Sequence, residues 1–247
     1  MQKKTPFILL LLFSKIIFSQ TNLIGIIEYQ SSISENTIRD YVANKREKLD
    51  ITSRKTYDEI YLSSLKIKST LHFSNDESIF KVEENLTSKN RKLNNRLIES
   101  WSGGNKVFYT NSSLKYNDVK NCKTLGECFI IRSKLKKWNL TQETKQISGY
   151  TCYKAVRMIA GRKAKKEIVA WYSPSIPVNF GPKGENGLPG LILELELGDI
   201  HFMVKKIILN PKEGVIINKL NNGKIIKEKD FKILVGKAAD NLFGKRN

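Results

Sequence analysis

Apolar and polar residues alternate with a period of two along much of this chain. In residues 65–73, Leu65, Ile67, Ser69, Leu71 and Phe73 fall on one face, and Lys66, Lys68, Thr70 and His72 on the other. That pattern predicts a half-buried antiparallel strand. Asn75-Asp76-Glu77-Ser78 carries turn chemistry, and Ile79 to Val82 returns as the hairpin partner. Leu23 to Tyr29, rich in β-branched residues, predicts a first strand, and Glu127 to Ile131 a short one. Leu97–Trp101 and Lys106–Thr110 read as a hairpin about Ser102-Gly103-Gly104-Asn105. Residues 135–147, with Trp138, alternate again. Tyr150–Ile159 and Ile168–Tyr172 read as paired antiparallel strands. Leu191–Leu197 and Ile200–Leu209 form a hairpin about Gly198-Asp199, and residues 213–226 add one more hairpin.

Helical spacing occurs twice. Ile38, Tyr41 and Val42 predict a short helix within the polar stretch 31–62, and Phe231, Leu234, Val235, Ala238 and Leu242 predict one at the C-terminus. Residues 83–96, with four asparagines, read as a surface loop. No strand–helix alternation and no internal repeat is present. The expected fold is mainly β: an antiparallel sheet, half-barrel or sandwich-like, with one or two short helices.

The ends and the charge add a compartment. Lys3 and Lys4 precede an apolar run from Phe7 to Phe13, and Lys15 interrupts it. This reads as a secretory signal peptide over residues 1–19, leaving 20–247 as one domain. No cysteine directly follows the apolar run, so a lipoprotein anchor is not expected, and no later stretch is long and apolar enough to span a bilayer. The expectation is export, to the periplasm or outside the cell. Lysine and arginine outnumber aspartate and glutamate by 43 to 24, a formal charge of +19. The lysines are scattered, which fits a solvated surface better than a nucleic-acid face, and no nucleic-acid motif is present.

Export permits disulfides. Cys122 and Cys128 flank a polar segment containing Gly126, which suits a short structural bridge; Cys152 is then the odd thiol. The spacing is not that of a redox CxxC pair, and two isolated histidines, His72 and His201, make neither a zinc motif nor a Ser-His-Asp triad. No cofactor, metal or catalytic residue is expected. Glu194 and Glu196 would share a strand face with Ile192, opposite Leu191, Leu193, Leu195 and Leu197; cross-strand Lys205 or Lys206 would pair with them. Trp138, Tyr150, Trp171 and Tyr172 form an aromatic region, either core or a ligand platform.

The densest glycine and proline content lies in Gly181-Pro182-Lys183-Gly184-Glu185-Asn186-Gly187-Leu188-Pro189-Gly190-Leu191-Ile192. Gly187 and Gly190 would permit positive φ, Pro189 would stiffen the loop, and Leu188 and Leu191 are apolar enough to pack inward. Upstream, in order, stand Trp138, Ile147-Ser148-Gly149-Tyr150, Cys152, Gly161-Arg162, Ala170-Trp171-Tyr172 and Ile176-Pro177. Together these resemble the GLPGLI family of secreted Bacteroidetes proteins. The resemblance covers residues 138–197 well and the first half only loosely, and it carries no established activity. In strand pattern the chain is similar to half-barrel lipoprotein carriers, an analogy of fold alone. The expectation is an exported, non-enzymatic binding protein holding an apolar ligand or lipid on a concave sheet. The alternatives are an interaction module for another cell-envelope protein, or a hydrolase.

Overall fold

The computed structural model describes residues 23–63, 65–83, 93–160 and 165–244. The expected signal peptide, most of the 83–96 loop and the Gly161-Arg162 turn lie outside them. Among the described residues, twelve strands form one open sheet. They are β1 (Ile24–Ile33), β2 (Ile67–Ser74), β3 (Glu77–Val82), β4 (Val107–Asn111), β5 (Tyr116–Asn121), β6 (Phe129–Lys134), β7 (Asn139–Ile147), β8 (Tyr150–Ala160), β9 (Lys165–Ser173), β10 (Leu191–Leu197), β11 (Ile200–Leu209) and β12 (Lys224–Lys227). Their order is β12-β6-β5-β4-β3-β2-β1-β11-β10-β9-β8-β7. Four α-helices accompany them: α1 (Glu35–Asp40), α2 (Ile51–Tyr61), α3 (Leu93–Ser102) and α4 (Glu228–Phe243).

The alternation read from the chain sets the two faces of the sheet. A row of directly opposed apolar residues crosses six strands: Ile27, Leu71, Phe80, Phe108, Val119 and Ile131. On the other half, Ala155, Ala170, Leu195 and Phe202 continue the same inner face. The opposite face carries Lys68, Thr70, His72 and Lys81. Cross-strand pairing of this kind is the unit of sheet stabilisation. The edge-to-face rings of Phe80, Phe108 and Phe202 knit the two halves.

Helix α3 closes one end of the inner face. Ile98 is fully buried, and Ser31 Oγ donates to Ser102 Oγ at 2.8 Å. The expected strand at 97–101 is therefore a helix. Leu97, Ile98 and Trp101 stand at helical spacing, which five residues cannot distinguish from a short strand. Helix α2 was also not expected. Its start is capped by Asp50, whose carboxylate accepts from Ser53 N at 2.9 Å, and it is held by Arg46 and Tyr41 on Asp58. The hairpin expected over 213–226 does not form; the one strand there is β12, which runs parallel to β6. A parallel pair needs a crossover, so no hairpin signal announces it. Helix α4 forms as its spacing predicts and packs Phe231 on Phe129 of β6, ring centroids 5.4 Å apart.

The phenol of Tyr29, in β1, is buried and donates to the Ile192 carbonyl at 2.6 Å. Removing it leaves that carbonyl without its partner in an apolar surround. Tyr29→Phe is expected to lower stability by about 1–3 kcal/mol in urea titration, with the midpoint moving and the slope unchanged.

Candidate functional site

Between Ser173 and Leu191 the chain lies back over the inner face of its own sheet. Leu191 N donates to Ile176 O and Ile192 N to Phe180 O, both at 2.9 Å, so the loop continues the hydrogen bonding of β10. Phe180 packs on Phe73, and Leu188, Leu191 and Leu193 are buried as expected; Ile192 is buried with them. Two glycines allow this. Gly187 has φ of +89°, and a Cβ there would collide with the Lys136 carbonyl. Gly190 does not need positive φ, contrary to expectation; it needs no side chain, because the Ser173 carbonyl occupies the space.

Polar clamps hold the loop from its other side. Asn186 is fully buried. Its Oδ1 accepts from Lys136 N and its carbonyl from Trp138 Nε1, each at 2.8 Å. Arg157 of β8 donates to the Glu185 carboxylate through Nε and Nη2, the closest pair at 2.6 Å. Neither Asn186 nor Glu185 stood out in the sequence, since what marks them is a partner far along the chain. Gly181 and Pro182 are buried at the start of a one-turn 3₁₀ segment, and Pro189 is exposed.

The other expected site residues disperse. A bulge in β10 sets Ile192 opposite Tyr172 and Glu194 opposite Trp171, so Ile192 does not share a face with Glu194 and Glu196. Glu194 meets Lys145 Nζ at 2.6 Å and His201 Nε2 at 3.2 Å, not Lys205 or Lys206; Lys206 faces Glu28 instead. Glu196 accepts from Asn36 Nδ2 at 3.0 Å. Burial raises the Glu194 carboxyl, but His201 and Lys145 outweigh it and hold the group below its ordinary range. An ionised carboxylate held by a lysine of β7 and a histidine of β11 serves the sheet as a cross-strand tie. The aromatic region also divides. Trp171 lies under Lys145 on the outer face, Tyr172 is buried beside Tyr153, Tyr150 packs at the core margin, and Trp138 sits beneath Arg157. Cys122 and Cys128 are bonded, and Cys152 is free and buried, its thiol pushed up to about 11 by burial. Among the described residues no cluster of three or more histidine, cysteine or acidic side chains is arranged for a metal ion.

The inner face is thus not an open trough. The loop fills it over the central strands. Past the loop, between β4–β6 and α4, a cavity of about 470 Å³ remains, within the range of small-molecule sites. Its apolar wall is Phe108, Val119, Ile131, Phe231 and Val235. Asn121 beside the disulfide shapes one side, accepting from Lys123 N and Thr124 N. Lys106, Lys136 and Lys183 stand at its polar end. Lys183 belongs to the glycine-rich loop and has φ of +59°. Its Nζ donates to Trp101 O, at the C-terminal end of α3, at 2.6 Å. Desolvation, then the neighbouring Lys106 charge, pulls its ammonium down to about 8.

Two predictions follow from this geometry. Gly187→Ala and Gly190→Ala each force backbone to move and are expected to cost more than the roughly 1 kcal/mol of an average substitution, read by thermal denaturation. Lys183 titrates in the folded chain below its ordinary 10.5. The unfolded chain therefore holds more protons between about 8 and 10.5, and stability rises with pH across that window. Below it the full cost of the buried ammonium is present. Lys183→Met, which lacks the titrating group, is expected to lose this rise, so that wild type gains melting temperature relative to the variant as pH climbs through the window.

A family model described as "Protein of unknown function (Porph_ging)" matches residues 160–194, the span from β9 through the loop into β10. No curated protein matches the chain. Among solved structures, the chain is similar to PNGF-II in a P21 crystal form, at 16% identity and a TM-score of 0.50, over 88% of this chain and 34% of that one. The C2 form of PNGF-II aligns at 18% identity and a TM-score of 0.48, over 87% of this chain and 33% of that one. The chain spans about a third of the length of the solved chains it matches, and at such identity the likeness concerns the fold alone.

Proposed function

We propose that this protein is an exported, non-enzymatic binding protein of the GLPGLI type, which holds an apolar ligand between β4–β6 and α4. The observation that carries this reading is the cavity itself, walled by Phe108, Val119, Ile131, Phe231 and Val235 beside a loop that fills the rest of the inner face. Water in an apolar cavity finds few partners, so an apolar occupant gains by displacing it. Export rests on the charged and then apolar first nineteen residues. In the hydrolase reading Glu194 would act as acid or base, a role that its ties to Lys145 and His201 oppose.

A second reading, an interaction module of the cell envelope, draws support from the α1–α2 segment. It exposes Val42, Ile51, Tyr57 and Leu62, with Ile51 87% accessible. Apolar groups so placed suit a protein partner.

The cavity reading is tested with the neutral fluorescent probe N-phenyl-1-naphthylamine and with protein purified from its native host. Wild type is expected to bind the probe and to release an apolar species on denaturation, detected by mass spectrometry. Val119→Trp, which fills the space, is expected to abolish both. Binding undiminished in that variant would sink the cavity as the site.

A further inference from the structure

The charges at the polar end of the cavity do not balance. Two acids lie there, and both are engaged. Glu185 is gripped by Arg157, and Glu228 accepts from Lys232 at 2.7 Å. Lys106, Lys136 and Lys183 form no salt bridge among the described residues; Glu185 still attracts Lys183 and Glu228 attracts Lys136, but each acid is bonded to another cation. Lys183 is the most constrained of them. It occupies the left-handed region, which costs a non-glycine residue energy. Its ammonium has three donors, and one of them is used, on Trp101 O. Scattered surface lysines would be solvated and indifferent. Here a shielded ammonium is fixed by a strained backbone and a helix end, with a second lysine near enough to oppose its charge.

Burying a cation without an anion is costly, and a neutral ligand would leave that cost in place while removing the remaining water. An anion at the same position would accept the two unused donors and neutralise the repulsion between Lys183 and Lys106. The wall beyond them is apolar, so the anion must end an apolar chain.

We propose that the cavity takes an anionic amphiphile, an alkyl chain ending in a single carboxylate or phosphate, with Lys183 and Lys106 seating the head group and Val119, Ile131 and Phe231 lining the chain. This rests on the cavity reading above and names its ligand class. Both head groups offer the same chemistry to the lysines, a compact anion with several acceptor oxygens.

The test uses the full chain after the signal peptide and displacement of N-phenyl-1-naphthylamine by dodecanoate, dodecyl phosphate and 1-dodecanol. Wild type is expected to bind at least one of the anions about ten- to a hundredfold more tightly than the alcohol, the range set by charge-assisted hydrogen bonds. Whichever anion binds more tightly identifies the head group. In Lys183→Met that preference is expected to collapse to within about threefold, with alcohol affinity unchanged. Lys106→Met, which keeps Lys183 and its bond to Trp101, is expected to lose part of the preference and supplies an independent comparison. Equal affinity for alcohol and anions in wild type, or a preference untouched in both variants, would overturn the head-group assignment and leave the cavity reading standing. Failure of the probe and all three ligands to bind would overturn the cavity reading itself.

Discussion

The fold depends on the loop between Ser173 and Leu191 lying flat on the sheet from which it emerges. A sheet of this width turns a large apolar face to one side, and that face must be kept from water. The loop does so only because backbone approaches backbone at Gly187 and Gly190, where any side chain would hold the two apart. Once it is down, its polar groups need partners. Trp138, Arg157 and Lys136 reach it from one flank, and α3 receives Lys183 from the other. The phenol of Tyr29 closes the junction at Ile192. Each of these contacts is long-range in sequence, so the loop joins both halves of the sheet.

The same packing explains why the candidate site lies where it does. The loop covers the middle of the inner face and stops short of β5 and β6. Helix α4 reaches over that end through Phe231 but leaves the space between unfilled. The residues that bound the gap come from both coverings, with Lys183 from the loop and Glu228, Phe231 and Val235 from the helix. The motif that matches the family model is therefore mostly structural, and one of its residues, Lys183, also faces the cavity.

Much of the architecture was legible in the chain, and the failures have physical causes. The period-two alternation located β1, β2, β3 and the β8–β11 strands, because each has one face in the core. It failed at 97–101, where Leu97, Ile98 and Trp101 fit either period over so short a window. It failed again at Ile192, where a bulge changes the face without any change in residue type. Strand β5 was missed because Asn117, Asp118 and Asn121 are buried polar residues, and the partners of the first two, Thr110 and Arg132, come from neighbouring strands.

Local chemistry thus located most of the extended segments and the glycine-rich loop, turned Leu188 and Leu191 inward and favoured a bridge between Cys122 and Cys128. These follow from side-chain period, backbone freedom and short chain separation, all properties of neighbouring residues. The partners of Glu194, the division of the aromatics between faces, the pairing of β12 with β6 and the lysines gathered at the cavity arise from contacts between distant segments. Composition counts those lysines as ordinary surface charge. Only the folded chain, by setting a loop, a helix and three strands against one another, puts three of them beside an apolar wall without a salt bridge of their own.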